Sequence, residues 1–169
     1  MARITLKGNA TETVGELPTV GQVAPDFTLV NKELADVSLA DFEGSWKILN
    51  ITPSLDTSVC AASAVKFDKE VATRPHVKLL NISADLPLAA ARVCGEQKLE
   101  HVVTLSTFRS PAFGTDYGVR IVDGPFGGLL ARSVLVLDPQ NKVVHAQLVP
   151  EIADEPDYAA ALAVLPAAD

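Results

Sequence analysis

The sequence predicts an α/β fold: a mixed central β-sheet flanked by helices and preceded by an N-terminal β-hairpin, in one domain spanning residues 1–169. Three observations carry this expectation. Short apolar runs at 47–51, 76–83 and 102–106 alternate with helix-like segments, the pattern of parallel strands joined by right-handed crossovers. Two further strand-like runs, 131–138 and 143–149, are separated only by Pro139-Gln140-Asn141-Lys142, a hairpin connection that adds antiparallel strands. Residues 4–7 and 10–14 alternate apolar and polar about Gly8-Asn9, which reads as a hairpin with a tight turn.

The remaining elements follow in order. A stretch bearing Pro and Gly occupies 15–25, and 26–30 reads as a short strand. Val37-Ser38-Leu39 leads into Ala40-Asp41-Phe42-Glu43-Gly44, where the glycine suits a turn or a helix stop. The run 47–51 is apolar enough for a buried strand, and Pro53 breaks it. A helix is expected over 60–73, with Val65, Phe67 and Val71 toward one side and Lys66, Asp68, Lys69 and Glu70 around them; Pro75 ends it. A second helix is expected over 87–94, with Asp85 as N-cap and Gly95 as its C-terminal stop. A short helix at 112–117 and an alanine-rich helix at 157–165 complete the chain.

Composition narrows the function. The hydrophobic fraction of 48% supports a sizeable interior, and the charged fraction of 21% is ordinary for a folded domain. A net charge of −7 with no Lys/Arg cluster argues against a nucleic-acid partner, because polyanions are bound through basic patches. No run approaches the ~18 apolar residues of a membrane span. The most apolar stretch, 128–137, is interrupted by Arg132 and Ser133, and the first seven residues are too polar for a signal-peptide core, so no membrane association and a cytoplasmic location are expected. Two cysteines are too few for a disulfide scaffold, and His76, His101 and His145 lack zinc-ligand spacing. In a reducing compartment, Cys60 and Cys94 are either inert core residues or a working redox pair.

Cys60 follows a buried strand and a loop, Pro53-Ser54-Leu55-Asp56-Thr57-Ser58-Val59, and opens a helix. The unpaired N–H groups and partial positive charge of a helix N-terminus favour thiolate over thiol. Thr57, three residues earlier, places a hydroxyl where it can bond the sulfur or a substrate oxygen, or simply cap the helix. From placement alone Cys60 is equally readable as a small buried hydrophobe. Arg132 interrupts an otherwise apolar strand, so its guanidinium must be paired, face a polar site or reach solvent at the strand end. Cys94 ends a short helix, where fraying would free a sulfur and tight packing would bury it. Arg109 is a further arginine near a strand end, readable as support for Arg132, as a dimer contact or as a solvated side chain.

Pro53-Ser-Leu-Asp-Thr57-Ser-Val-Cys60 resembles the Pro-x-x-x-Thr-x-x-Cys motif of the peroxiredoxins. The longer string from Leu49 to Cys60 is similar to the thiol peroxidase branch of that family. So are Gly21-Gln-Val-Ala-Pro-Asp-Phe-Thr-Leu29, Ser83-Ala-Asp-Leu-Pro87, Leu105-Ser-Thr-Phe-Arg109, Asp123-Gly-Pro-Phe-Gly-Gly-Leu-Leu-Ala-Arg132 and Leu148-Val-Pro-Glu-Ile152. The resemblance runs through Glu155-Pro-Asp-Tyr158 and covers essentially the whole chain. Thr52, where the family often has an aromatic, and Ser58, where it often has proline, depart from the pattern and bear on pocket shape.

The resemblance implies a thioredoxin-like fold and a peroxidase that reduces hydrogen peroxide and organic hydroperoxides to water and alcohols. It implies that Cys60 is the peroxidatic cysteine, oxidised to a sulfenic acid, and that Cys94 is the resolving cysteine, closing an intramolecular Cys60–Cys94 disulfide. It also implies that Thr57 and Arg132 activate the thiolate and hold the peroxide while Pro53 shields the pocket. A homodimer recycled by thioredoxin or a similar dithiol, with no metal or organic cofactor, is expected. The alternative from another class is a peroxide sensor or redox-switched binding protein with incidental turnover. A dithiol oxidoreductase would need closely spaced cysteines such as Cys-x-x-Cys, which are absent from the sequence.

Overall fold

The computed structural model describes residues 1–168. Strands β1 (Arg3–Leu6) and β2 (Asn9–Glu12) form a separate antiparallel pair in which Leu6 faces Asn9. The turn is therefore Lys7-Gly8, one residue earlier than expected. Both residues have positive φ, 51° and 80°, as a two-residue hairpin turn with right-handed twist demands.

The main sheet has seven strands: β3 (Thr28–Val30), β4 (Asp36–Ser38), β5 (Trp46–Ile51), β6 (Val77–Ser83), β7 (Val102–Ser106), β8 (Ser133–Leu137) and β9 (Val143–Leu148). Their spatial order is β4-β3-β7-β6-β5-β8-β9. β5, β6 and β7 are parallel, and the outer pairings are antiparallel. The parallel centre and the β8–β9 hairpin match the expectation. β4 is an addition: it pairs only with β3, an edge too short to show a period in the sequence.

Helices α1 (Ser58–Val71), α2 (Pro87–Glu96), α3 (Ala112–Asp116) and α4 (Tyr158–Ala163) surround the sheet. Alternation along the central strands divides the core. Leu49, Ile51, Leu80 and Ile82 pack with Leu29, Phe113 and Tyr117, whereas Ile48, Leu79, Val134 and Val136 pack with Phe67 of α1 and Tyr158 and Ala161 of α4. Burial on both faces is why these strands read as continuous apolar runs.

Four local expectations are corrected. α1 begins at Ser58 and ends at Val71, so Cys60 is its third residue. The residue at the N-cap of α2 is Leu86, not Asp85, and Gly95 lies inside that helix rather than ending it. Gly95 is helical because the closing left-handed position falls later, at Lys98 with φ 55°. β8 begins at Ser133, leaving Arg132 just before the strand: the Ala131 amide donates to the Val119 carbonyl, and Arg132 meets the chain beyond β9. Among the described residues, no helix is long and apolar enough to cross a membrane.

Candidate active site

The site lies at the end of the sheet where β5 finishes and β8 starts. Ile51 pairs with Ser133, so the adjacent strands carry Thr52-Pro53 and Arg132 to the same edge. Pro53 is buried, and the loop after it delivers the chain into α1.

Thr57 is the N-cap of α1, with extended backbone (φ −122°, ψ 151°). Its hydroxyl donates to the Ser54 carbonyl at 3.1 Å and accepts the Cys60 amide at 3.4 Å. Of the roles open to this hydroxyl, the contacts present are those of the cap, which satisfies an amide that has no intrahelical acceptor. Cys60 is fully buried and not in a disulfide.

The loop is fastened from the neighbouring strand. The Asp85 carboxylate accepts the Ser54 hydroxyl at 2.7 Å, the Leu55 amide at 2.8 Å and the Ser83 hydroxyl at 2.8 Å. Asp85 is thus a brace for the cysteine loop instead of a helix cap, because a carboxylate at the end of β6 reaches across to the loop leaving β5.

Beneath Cys60 runs a line of buried polar side chains. The Ser63 hydroxyl donates to the Cys60 carbonyl at 2.9 Å. Asn50 Nδ2 donates to Ser63 Oγ (3.2 Å) and to Asn81 Oδ1 (2.9 Å), and Asn81 Nδ2 donates to Thr52 Oγ1 (3.4 Å). α1 is thereby fixed in register against β5 and β6. These residues were missed in the sequence because each asparagine sits in an apolar strand; an amide within such a run is the one signal that could have found them.

Arg132 is 2% exposed. Its Nε donates to the Ile152 carbonyl at 2.9 Å, while Nη1 is buried with no hydrogen-bond partner among the described residues. Ala153, Asp154 and Glu155, which follow Ile152, line a groove of about 400 Å³ with Ser58, Val59 and Ala62 of α1. The segment that holds Arg132 therefore also borders the first turns of α1. Arg109 is elsewhere: exposed, 3.5 Å from Asp36 and over the Phe108 ring.

Cys94 is half-buried and reduced on α2, packed against the cluster of Leu55, Ala64, Ala90 and Val93. Burial pushes its thiol up to about 11; the nearby Asp68 carboxylate adds to this and Lys32 opposes it. Among the described residues, no cluster of three or more His, Cys, Asp or Glu is arranged to hold a metal ion.

A free, buried cysteine in the first turn of a helix, with a buried arginine at the start of the strand paired to the one that leads into that helix, marks a thiol-based redox protein. The chain belongs to the Redoxin family, whose model matches residues 19–162, and within it to the thiol peroxidases. Thiol peroxidases of Mycobacterium bovis and Mycobacterium tuberculosis are each 51% identical to it over 165 residues, covering 98% of this chain and 99% of theirs. A peroxiredoxin-like protein from Aquifex aeolicus superposes with a TM-score of 0.88 at 36% identity, covering 94% of this chain and 92% of that one. A thiol peroxidase from Chromobacterium violaceum superposes equally well, with a TM-score of 0.88 at 26% identity over 94% and 91% of the two chains. The thioredoxin-like architecture expected from the sequence holds.

Proposed function

We infer that the chain is a thiol-dependent peroxidase that reduces hydrogen peroxide and organic hydroperoxides through Cys60. The observation that supports this reading is a buried Cys60 in a capped first helical turn together with a buried Arg132 that keeps an unspent Nη1 donor and is held by the Ile152 segment, whose next residues border Ser58 and Val59 of that turn.

The Cys60 thiolate attacks the terminal oxygen of the hydroperoxide. A sulfur–oxygen bond forms, the O–O bond breaks, and the departing alkoxide or hydroxide takes a proton and leaves as alcohol or water. Negative charge moves from sulfur to oxygen during this step. The Arg132 guanidinium and the amides of the first turn of α1 are donors suited to follow that charge without reorganising. Thr57 holds Cys60 in place by capping that turn, and Pro53 keeps water from the sulfur.

The product is a Cys60 sulfenic acid. The Cys94 thiolate attacks its sulfur, forming the Cys60–Cys94 bond and expelling hydroxide, which a proton converts to water. Thioredoxin or a similar dithiol then reduces the disulfide by exchange, in a cytoplasmic homodimer. The whole chain acts as one catalytic domain without a metal or organic cofactor.

The test is to mix reduced protein with one equivalent of hydroperoxide and count free thiols over time. Rapid loss of both thiols is expected, with a single sulfenic acid trapped in Cys94→Ser. Thiols that react no faster than free cysteine at the same pH would overturn the reading.

A further inference from the structure

Asp68 has no part in the chemistry described so far, yet it is a buried carboxylate two turns along α1 from Cys60. It accepts the backbone amide of His101 at 2.8 Å and that of Glu100 at 3.4 Å. Those amides belong to the segment that leaves α2 and enters β7. The carboxylate on the helix carrying one cysteine therefore grips the chain immediately behind the helix carrying the other.

The end of α2 is also closed locally. The Gln97 amide donates to the Val93 carbonyl and the Leu99 amide donates to the Cys94 carbonyl at 3.0 Å. For Cys94 to reach Cys60, this final turn must open, and the segment at 99–101 has to follow because it is only five residues away. The charged groups facing Cys94 are Asp68 from α1 and Lys32 from the turn between β3 and β4. On its own helix, Arg92 and Glu96 neutralise each other at 2.7 Å.

We propose that Asp68 is a latch on the resolving cysteine: it ties the exit of α2 to α1, and its release limits the rate at which the Cys60–Cys94 disulfide forms. The inference rests on Cys94 being the resolving residue. Asp68 is a positioning residue, since it touches neither substrate nor reacting sulfur. Both of its effects run in one direction. Its hydrogen bonds hold the α2 exit closed, and its charge disfavours the Cys94 thiolate that must attack. The latch therefore lengthens the life of the Cys60 sulfenic acid. A second hydroperoxide can then oxidise that sulfur to the sulfinic acid, losing its own O–O bond and leaving as alcohol.

The test compares wild type with Asp68→Asn in single-turnover mixing with hydrogen peroxide. Sulfenic acid is trapped and disulfide counted from pH 6 to pH 9. Relative to peroxide consumption, disulfide formation in Asp68→Asn is expected to accelerate on the order of tenfold, the effect of losing about one charge-assisted hydrogen bond. Its pH profile is expected to move to lower pH and to stay nearer that of wild type in Asp68→Glu, which keeps the charge, whereas mere loosening of the fold around Cys94 would move both variants alike. At excess peroxide the sulfinic product is expected to fall. An unchanged or slower disulfide step with an unshifted profile would overturn the latch. Should the variant not fold, amide exchange at His101 in wild type decides: protection must drop on passing from the dithiol to the disulfide form, and retained protection rejects the proposal. Failure of Cys94→Ser to accumulate a sulfenic acid would instead reject the resolving role of Cys94, a distinguishable outcome.

Discussion

The two cysteines sit in differently built surroundings. Cys60 is fully buried, its helix is registered to two central strands through Ser63, Asn50 and Asn81, and its loop is braced by Asp85. Cys94 is half-buried on a ten-residue helix whose apolar contacts are small or aliphatic: Leu55, Ala64, Ala90 and Val93. The group that must meet its substrate in a set geometry is anchored to the sheet; the group that must travel is held by the closing turn of its own helix and by the Asp68 carboxylate on the segment behind it, ties outside the sheet that can open in turn. Preorganisation and low local stability are thus distributed between the two ends of one reaction.

Exchanging the cysteines breaks the comparison most sharply. Cys60→Ser is expected to abolish hydroperoxide reduction, while Cys94→Ser given one equivalent of hydroperoxide is expected to consume it and stop with the Cys60 sulfenic acid trapped. A Cys94→Ser protein that turns over with thioredoxin at the wild-type rate would show that the mobile site is dispensable.

Next in size is Arg132. Arg132→Met keeps much of the side-chain volume and removes the donors, and the rate of Cys60 oxidation should fall about a hundredfold to a thousandfold, as for loss of a preorganised oxyanion donor. Competition for peroxide against a reference thiol measures it. Formation of the disulfide from a preformed sulfenic acid should be nearly unaffected, since Arg132 braces the anchored end only.

How much of this was legible before the structure depends on the range of the interactions. The hairpin, the parallel strands and α1 were readable because apolar periodicity and short connections are local signals. The positions of Cys60, Thr57 and Arg132 were readable as oddities in their surroundings: a cysteine at a helix start, a threonine one turn before it, a charge in an apolar run. Asp85 was misread, since a carboxylate just before Pro87 looks like a cap and nothing local reports that Ser54 and Leu55 lie across the sheet edge. Lys47 was invisible for the same reason. Its ammonium is buried and donates to the Phe42 carbonyl and to Asn141, contacts set by strand pairing, and burial lowers its pKa. Arg132 was placed inside a strand because its apolar neighbours continue the run, whereas its pairing belongs to the Ile152 segment.

A smaller effect is expected at Thr57. Since its hydroxyl caps α1, Thr57→Ala should cost about 1 kcal/mol of stability. Thr57→Ser, which keeps the acceptor, should recover most of it. Denaturant midpoints measure both. If Thr57→Ala leaves stability untouched but slows Cys60, the hydroxyl serves the substrate and not the helix.

The subtlest prediction uses pH to separate the two ends. On the anchored side, Glu151 accepts the Lys7, Gly8 and Ala153 amides and the Thr5 hydroxyl, and the adjacent Ile152 carbonyl accepts from Arg132. These bonds, the Ala153 amide foremost, hold the Glu151 carboxyl down at about 2. A depressed carboxyl binds fewer protons folded than unfolded, so its contribution is complete above the ordinary value of 4.5 and lost as pH falls toward 2. Cys94 has the opposite sign. Its thiol is raised from 9.0 to about 11, chiefly by burial, so its contribution is complete below 9.0 and lost as pH rises toward 11. Acid should therefore loosen the hairpin and the Ile152 segment while α2 stays closed, and alkali should loosen α2 while the hairpin stays docked. Amide resonances of Lys7 and Gly8 followed from pH 5 to 2, and those of Val93 and Cys94 from pH 8 to 11, read the two transitions separately. Glu151→Gln should erase the acid transition alone. A single transition involving all four amides at either end of the scale would show that the two sites are not mechanically independent, and the division between an anchored and a mobile cysteine would fail.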